Sequence, residues 1–301
     1  MKVLVSGSTG LIGSALVPVL RERGHEVVRL VRSRALVAPD AVFWDPQAGD
    51  LDAAGLEGVD AAVHLSGESV ASLRWIAGKK ARIYESRIRS TRLLVETLSG
   101  LSRRPSTFLC ASAIGYYGDR GDEVLREESG PGEGFLASLG RDWEAEAARA
   151  GEAGMREAQL RFGIVLTPQG GALRTMLRPF RWGLGARMGD GRQYFSWIAL
   201  DDALAAIVHI LDTPDLQGPI NVVAPIPVTN RELTATLGRV LGRPALLATP
   251  AALLRLVMGQ MAEEGLLASV RAEPAKLVAA GFPFQHPDLD GALRGMLARG
   301  S

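Results

Sequence analysis

A doubly wound α/β chain with a parallel central sheet is what the sequence predicts, and three observations carry that prediction. Apolar runs of strand length alternate with stretches of helical spacing through the first 166 residues. A glycine-rich turn follows the first run and opens the first helical stretch. The 301 residues are 47% hydrophobic and 22% charged, which suits one large core with a small second lobe beside it.

Lys2–Ser6 is a short apolar run that ends in glycines, and Leu11–Arg23 has helical spacing that Gly24 stops. Pro18 inside that stretch removes one backbone hydrogen bond and predicts a bend. His25–Val31, Ala41–Trp44 and Asp60–Leu65 are predicted as the second, third and fourth strands, the third having the weakest pattern. Arg82–Leu98 is amphipathic, with Ile83, Ile88, Leu94, Val95 and Leu98 as its apolar stripe, and it leads into a fifth strand at Thr107–Ala111. Leu139–Ala153 follows as a helix and Glu157–Leu166 as the sixth strand, so right-handed crossovers join parallel strands.

After Thr167 the alternation gives way to Pro168–Gly191, rich in Gly, Pro and Arg. Phe195–Ile198 is then a short strand and Asp201–Leu211 a helix whose acidic start suits its positive end. A short strand begins at Asn221, and the helix Thr229–Leu241 is capped by Thr229 or Asn230. Helices at Ala251–Met261, Pro274–Ala280 and Leu289–Leu297 close the chain, and no internal repeat is found. The expected organisation is a nucleotide-binding domain over 1–166, to which 195–220 returns, and a substrate-side lobe made of 167–194 and 221–301.

A formal net charge of +1 with scattered arginines gives neither a nucleic-acid nor an anionic-membrane surface, so the expected partner is a small molecule. A homodimer is compatible with the sequence. The single cysteine, Cys110, excludes an intramolecular disulfide and reads as a buried structural thiol in a reducing compartment. There is no leader pattern at Met1-Lys2 and no apolar run near the ~20 residues of a membrane span, so a cytoplasmic location is expected. His64, His209 and His286 have no metal-ligand spacing, and no metal is expected.

The turn reads Gly7, Ser8, Thr9, Gly10, Leu11, Ile12, Gly13. Gly7 permits the tight turn, Gly10 lets backbone approach a pyrophosphate, and Gly13 lets the helix pack closely on the strand. Free amides and the dipole at the helix start then hold the phosphates. Turn and alternation together specify a Rossmann-type doubly wound parallel sheet with a small C-terminal α/β substrate lobe. The end of the second strand selects the dinucleotide, because a carboxylate there would accept from a ribose 2′-hydroxyl and repel a 2′-phosphate. The run Val28-Arg29-Leu30-Val31-Arg32-Ser33-Arg34 has no acid. Arg32, helped by Ser33 and Arg34, is placed to hold a phosphate, so NADP(H) is expected.

Several further pieces recur in order: His64-Leu65-Ser66-Gly67-Glu68, Arg74-Trp75 with Ser86-Arg87, Ser112-Ala113-Ile114-Gly115-Tyr116-Tyr117-Gly118, and Asp142-Trp143-Glu144. Arg161 to Leu166, Trp197-Ile198 with Asp202, and Asn221 to Pro225 complete them. With the glycine turn, they resemble the extended short-chain dehydrogenase/reductase superfamily. The closest likeness is to its atypical branch of epimerase-like proteins, labelled nucleoside-diphosphate-sugar epimerases or cell-division-inhibitor homologues. The resemblance implies NADP on a Rossmann sheet, with Leu65 and Ser66 beside the adenosine ribose and Arg87 near the cofactor. It also implies Ser112 at the end of the fifth strand, facing nicotinamide and substrate.

Active members of that superfamily carry a Tyr followed four residues later by Lys, so that the ammonium favours loss of the phenolic proton. Here the corresponding place reads Phe135-Leu136-Ala137-Ser138-Leu139, with neither acid nor base, and the lysines are Lys2, Lys79, Lys80 and Lys276. Tyr116 or Tyr117, with Ser112 orienting the substrate, are the candidate catalytic groups, and Glu68 is a carboxylate near the cofactor. Arg161 is expected to pair with an acid. Arg174, Arg178, Arg181 and Arg187 offer contacts to an anionic, nucleotide-sugar-like substrate. The expected function is an NADP(H)-binding oxidoreductase or epimerase-like enzyme, the alternative being a non-catalytic NADP(H)-sensing regulatory protein.

Overall fold

The computed structural model describes residues 1–298. One sheet dominates it: β1 (Lys2–Ser6), β2 (Glu26–Val31), β3 (Ala41–Asp45), β4 (Asp50–Leu51), β5 (Ala61–His64), β6 (Thr107–Ala113), β7 (Arg156–Phe162) and β8 (Gly218–Val222). The order across it is β8-β7-β6-β5-β1-β2-β3-β4. Every neighbouring pair is parallel except β3 with β4, a small antiparallel edge. From β1 the chain winds outward through β2 to one side and later through β5 to the other. The carboxyl ends of β1 and β5 therefore flank the crevice where open α/β sheets bind ligands.

Both faces are covered, which explains strands that are apolar throughout rather than alternating. Val3 and Val5 of β1 pack with Leu16 and Leu20 of α1 (Leu11–Glu22), and this core later takes in Ile207 and Ile210. Leu4 points to the opposite face, against Leu94 and Leu98 of α2 (Ala77–Ser99) and Trp143 and Ala147 of α3 (Phe135–Glu152). Cys110 is buried on that second face, and burial pushes its thiol pKa well up, as befits a packing residue.

The third predicted strand is present, and α1 continues through Pro18. Helices α2 and α3 begin earlier than their apolar stripes suggest. The predicted sixth strand divides at Gly163. Its first part is β7, and Ile164–Leu166 leaves the sheet to pair with Trp197–Ala199. A Cβ on Gly163 would lie 2.8 Å from the Ser196 carbonyl oxygen, so only glycine lets the two backbones meet there. The Gly/Pro/Arg-rich segment contains a helix, α4 (Gly171–Arg181), which buries Leu173, Leu177 and Phe180 and leaves Arg174, Arg178 and Arg181 exposed.

After α5 (Leu200–Asp212), the C-terminal part forms a separate core. It joins α4 to Leu233 and Leu237 of α6 (Asn230–Leu241) and to Leu289, Leu293 and Met296 of the last helix, Leu289–Ala298. Thr229 is the cap of α6: its hydroxyl accepts from the Glu232 amide (3.2 Å) while its own amide donates to Glu232 Oε2 (2.7 Å). Among the described residues no helix is long and apolar enough to cross a membrane.

Candidate functional site

The glycine turn leaves β1 exactly at the crevice. Gly7 adopts φ +68°, and a Cβ there would lie 2.7 Å from the Leu65 carbonyl oxygen. A Cβ on Gly13 would lie 2.3 Å from the Gly7 carbonyl oxygen, so the first turn of α1 rests directly on the loop. No side chain caps α1 at Gly10. The first amides of a helix have no partner within it, so those of Leu11, Ile12 and Gly13 are offered to whatever occupies the turn. Ser8 adds to them, because its hydroxyl is buried without a hydrogen-bond partner. A phosphate at this position satisfies both deficits.

The loop after β5 lies against the same turn. Gly67 packs on Arg87, whose Cζ would be 3.1 Å from a Cβ at that position. Arg87 donates from Nη1 to the carbonyl oxygens of Glu68 and Ile83, each at 3.0 Å, and lies over the Trp143 ring at 5.0 Å. Burial lowers its pKa to about 10, leaving it cationic at neutral pH. Glu68 accepts from Lys79 Nζ at 2.7 Å. That hydrogen bond holds its carboxyl below the usual range, and Arg82 and Arg32 add to the effect. Arg32 and Ser33 are exposed at the end of β2, where Arg32 makes no hydrogen bond or ion pair among the described residues. Arg34 is taken up by Asp50 at 3.2 Å and lies over the Phe43 ring. Gly7 to Gly13, Leu65 to Glu68 and Arg87 thus form one cluster, and Arg32 lies close enough to act on Glu68 electrostatically.

His64 fixes the geometry of that loop. Ser90 Oγ donates to the Ser86 carbonyl (2.6 Å) and so accepts from His64 Nε2 (3.2 Å). Nδ1 then accepts from Ser6 Oγ at 2.6 Å, which itself accepts from the Leu65 amide at 3.1 Å. Burial lowers the His64 pKa from 6.5 to about 3. The unfolded chain therefore takes up a proton in this interval that the folded chain refuses. The contribution of this group to stability is whole above pH 6.5 and is lost progressively, as a slope of stability against pH, as the pH falls toward about 3. Denaturant titrations across that range are expected to show this slope, and His64→Gln is expected to remove its contribution. An unchanged slope in the variant would place the proton elsewhere.

Past the crevice is a cavity of about 340 Å³. One wall is the end of β6 and the turn after it, Ala113 to Tyr116; another is α3, through Leu136, Leu139, Gly140 and Trp143. Residues 264–270 close it from the C-terminal side, with Arg87 also on its surface. Glu264 is the pivot of that closure, since its carboxylate accepts from the amides of Phe135 (3.1 Å) and Leu136 (2.8 Å) and caps α3 from a distant segment.

Of the three candidate catalytic residues, Tyr116 lines this cavity, while Ser112 and Tyr117 do not. Ser112 points to the α3 side of β6 and donates to Glu144 Oε1 at 2.6 Å. Glu144 receives both Nε and Nη2 of Arg161, each at 2.8 Å. Arg161 Nη1 donates to the Tyr117 hydroxyl at 2.8 Å, and Tyr117 donates to Asn221 Oδ1 at 2.7 Å. Burial raises the Tyr117 pKa to about 12. Strand alternation explains the arrangement, because neighbours on β6 face opposite ways and it is Ala113 that meets the cavity. The Tyr116 ring lies under the Arg161 guanidinium, 3.7 Å away, and its hydroxyl has no partner among the described residues.

Four residues apart on one helical face, positions 136 and 140 both line the cavity, as Leu and Gly. Leu139 lines the cavity as well, and Phe135 does not. A Cβ at 140 would lie 3.1 Å from Tyr116 Cα, so Tyr116 stands where a residue-140 side chain would begin. The contributions of Lys79 and Glu264 have no local motif, and Asp142-Trp143-Glu144 does not reveal which partner Glu144 takes. Only the buried charge of Arg161 signals that an acid must stand opposite. Arg174, Arg178, Arg181 and Arg187 do not line the cavity. Among the described residues no group of three or more His, Cys, Asp or Glu could hold a metal ion.

Residues 3–224 match the NAD dependent epimerase/dehydratase family, and residues 249–296 match a domain of unknown function, DUF1731. The chain is 43% identical to Epimerase family protein Mb2239 of Mycobacterium bovis, covering 97% of this chain and 96% of that one. It is 32% identical to Epimerase family protein YfhF of Bacillus subtilis, covering 99% and 98%. The crystal structure of human epimerase family protein SDR39U1 with NADPH covers 99% of both chains at 35% identity, with a TM-score of 0.91.

Proposed function

Because the chain belongs to the NAD dependent epimerase/dehydratase family, we propose that it binds NADP(H) at the glycine turn and acts as an oxidoreductase or epimerase-like enzyme on a small molecule in the adjoining cavity. The observation that carries this reading is the buried, unpartnered Ser8 hydroxyl beside the uncapped start of α1, at a crevice joined to the cavity through Arg87. NADPH in the human relative agrees with it. Bound nicotinamide supplies or takes up a hydride. The turn amides and Ser8 hold the bridging phosphates, Arg32 and Ser33 the 2′-phosphate, and Leu65 to Glu68 the ribose side, with Arg87 Nη1 bracing that loop through the Glu68 carbonyl. Tyr116 is the acid or base with access to a substrate, its ring fixed by Arg161.

Calorimetric titration tests the cofactor. Arg32→Ala is expected to weaken NADPH binding by about 1–3 kcal/mol and leave NADH binding unchanged, as loss of one charge-assisted contact requires. Equal losses for both nucleotides would refute the 2′-phosphate role. Turnover of NADPH with a panel of carbonyl compounds tests the chemistry. Leu136 and Gly140 favour a second reading, a regulatory protein that binds NADP(H) without catalysis. That reading requires a partner whose affinity differs between the NADP- and NADPH-bound forms.

A further inference from the structure

We infer that the cavity takes a compact, largely apolar molecule bearing one oxygen function, which Arg87 holds, rather than a nucleotide-linked sugar. The inference rests on the reading of this cavity as the substrate site. Its walls are dominated by side chains with nothing to offer a polyhydroxylated ligand: Val70, Ile114, Leu139, Phe162, Ile164 and Phe195. Among the polar lining residues, Ser196 is committed elsewhere, and Gln193 and Asn230 each commit one side-chain amide atom elsewhere. Ser196 donates to the Val270 carbonyl (2.7 Å) and accepts from the Ala272 amide (2.9 Å). Gln193 Nε2 donates to the carbonyls of Met188 and Leu266, both at 3.1 Å, and Asn230 Oδ1 accepts from the Met188 amide at 2.8 Å.

A diphosphate needs cations, and among the described residues Arg87 is the one Lys or Arg on the cavity surface. Glu264 also borders the cavity, and its carboxylate repels phosphate. At about 340 Å³ the space is near the lower end of the ~300–1,000 Å³ usual for ligand pockets. Arg87 is built to hold an oxygen. Nη1 is anchored on two carbonyls, while Nε and Nη2 make no hydrogen bond among the described residues. Largely buried and still charged, those donors fit a carbonyl or carboxylate oxygen, and Tyr116 lines the same cavity.

Two probes decide between the classes, 2-acetonaphthone and UDP-glucose, each titrated into the full-length protein with and without saturating NADP. The ketone is expected to bind about tenfold or more tightly than the nucleotide sugar, and Ala268→Phe, which fills the C-terminal wall, is expected to weaken ketone binding about tenfold with NADPH affinity unchanged. Arg87→Met is expected to weaken 2-acetonaphthone about tenfold more than 2-ethylnaphthalene, which has the same rings without the oxygen. Tighter binding of UDP-glucose, or ketone binding indifferent to Ala268→Phe, overturns the inference. Equal losses for ketone and hydrocarbon in Arg87→Met overturn the role of Arg87. Failure of NADPH to bind would bring down the cofactor reading alone, since titrations without nucleotide still decide this one.

Discussion

Glu144→Ala is expected to lower the free energy of unfolding by about 3–5 kcal/mol, the cost of leaving one member of a buried ion pair without its partner. Arg161 is a fully buried side chain near the carboxyl end of β7, and its guanidinium is neutralised by a bidentate contact with Glu144 at 2.8 Å on both arms. Removing the carboxylate strands that charge and also leaves Ser112 without its acceptor. Arg161→Met strands the opposite charge and is expected to cost a similar amount. The double variant Glu144→Ala with Arg161→Met leaves neither charge buried and is expected to recover part of the loss. Urea unfolding of the four proteins measures the coupling. Single variants within 1 kcal/mol of the parent would mean that water reaches the pair in solution.

The second large effect concerns nucleotide binding. Gly13→Val is expected to abolish NADPH binding, because its Cβ would stand 2.3 Å from the Gly7 carbonyl and force the turn away from α1. A clash between backbone and Cβ cannot be relieved by a side-chain rotation, so folding itself suffers in this variant. Gly10→Val separates the two effects. Its Cβ would lie 3.2 Å from the same oxygen, a contact the fold accommodates with a small shift, yet the branched side chain fills the space a pyrophosphate needs. Circular dichroism and melting temperature close to the parent, with no heat on titration of NADPH, are the expected result for Gly10→Val. Retained binding would show that phosphates are held somewhere other than this turn.

The turn was legible in the sequence because its constraints are local: a positive φ at Gly7 and a close approach at Gly13 dictate residue type at fixed spacing after a strand. The main sheet was legible for a similar reason, since strands covered on both faces are continuous apolar runs. Helix α4 was harder to see. Leu173, Leu177 and Phe180 have helical spacing, but Gly170, Gly171 and Pro179 around them read as breakers. The cavity was harder still. Which of Ser112 and Ala113 faces it depends on where β6 stops alternating and enters the following turn, a matter settled by packing against α3. Glu264 reaches α3 across more than 120 residues of chain, and no periodicity reports a contact between such distant positions.

That long-range carboxylate sets the order in which the molecule becomes competent during synthesis. Once residue 222 has emerged, every strand of the large sheet exists, and the phosphate grip is complete far earlier. The chamber has no such head start. Its last side and the anion that steadies the amino end of α3 both come from residues 264–270, so a nascent chain halted at residue 250 holds a finished nucleotide cradle beside an open, unroofed recess. Enclosure of that recess therefore comes after the nucleotide cradle, from residues 264–270 laid over a scaffold already built.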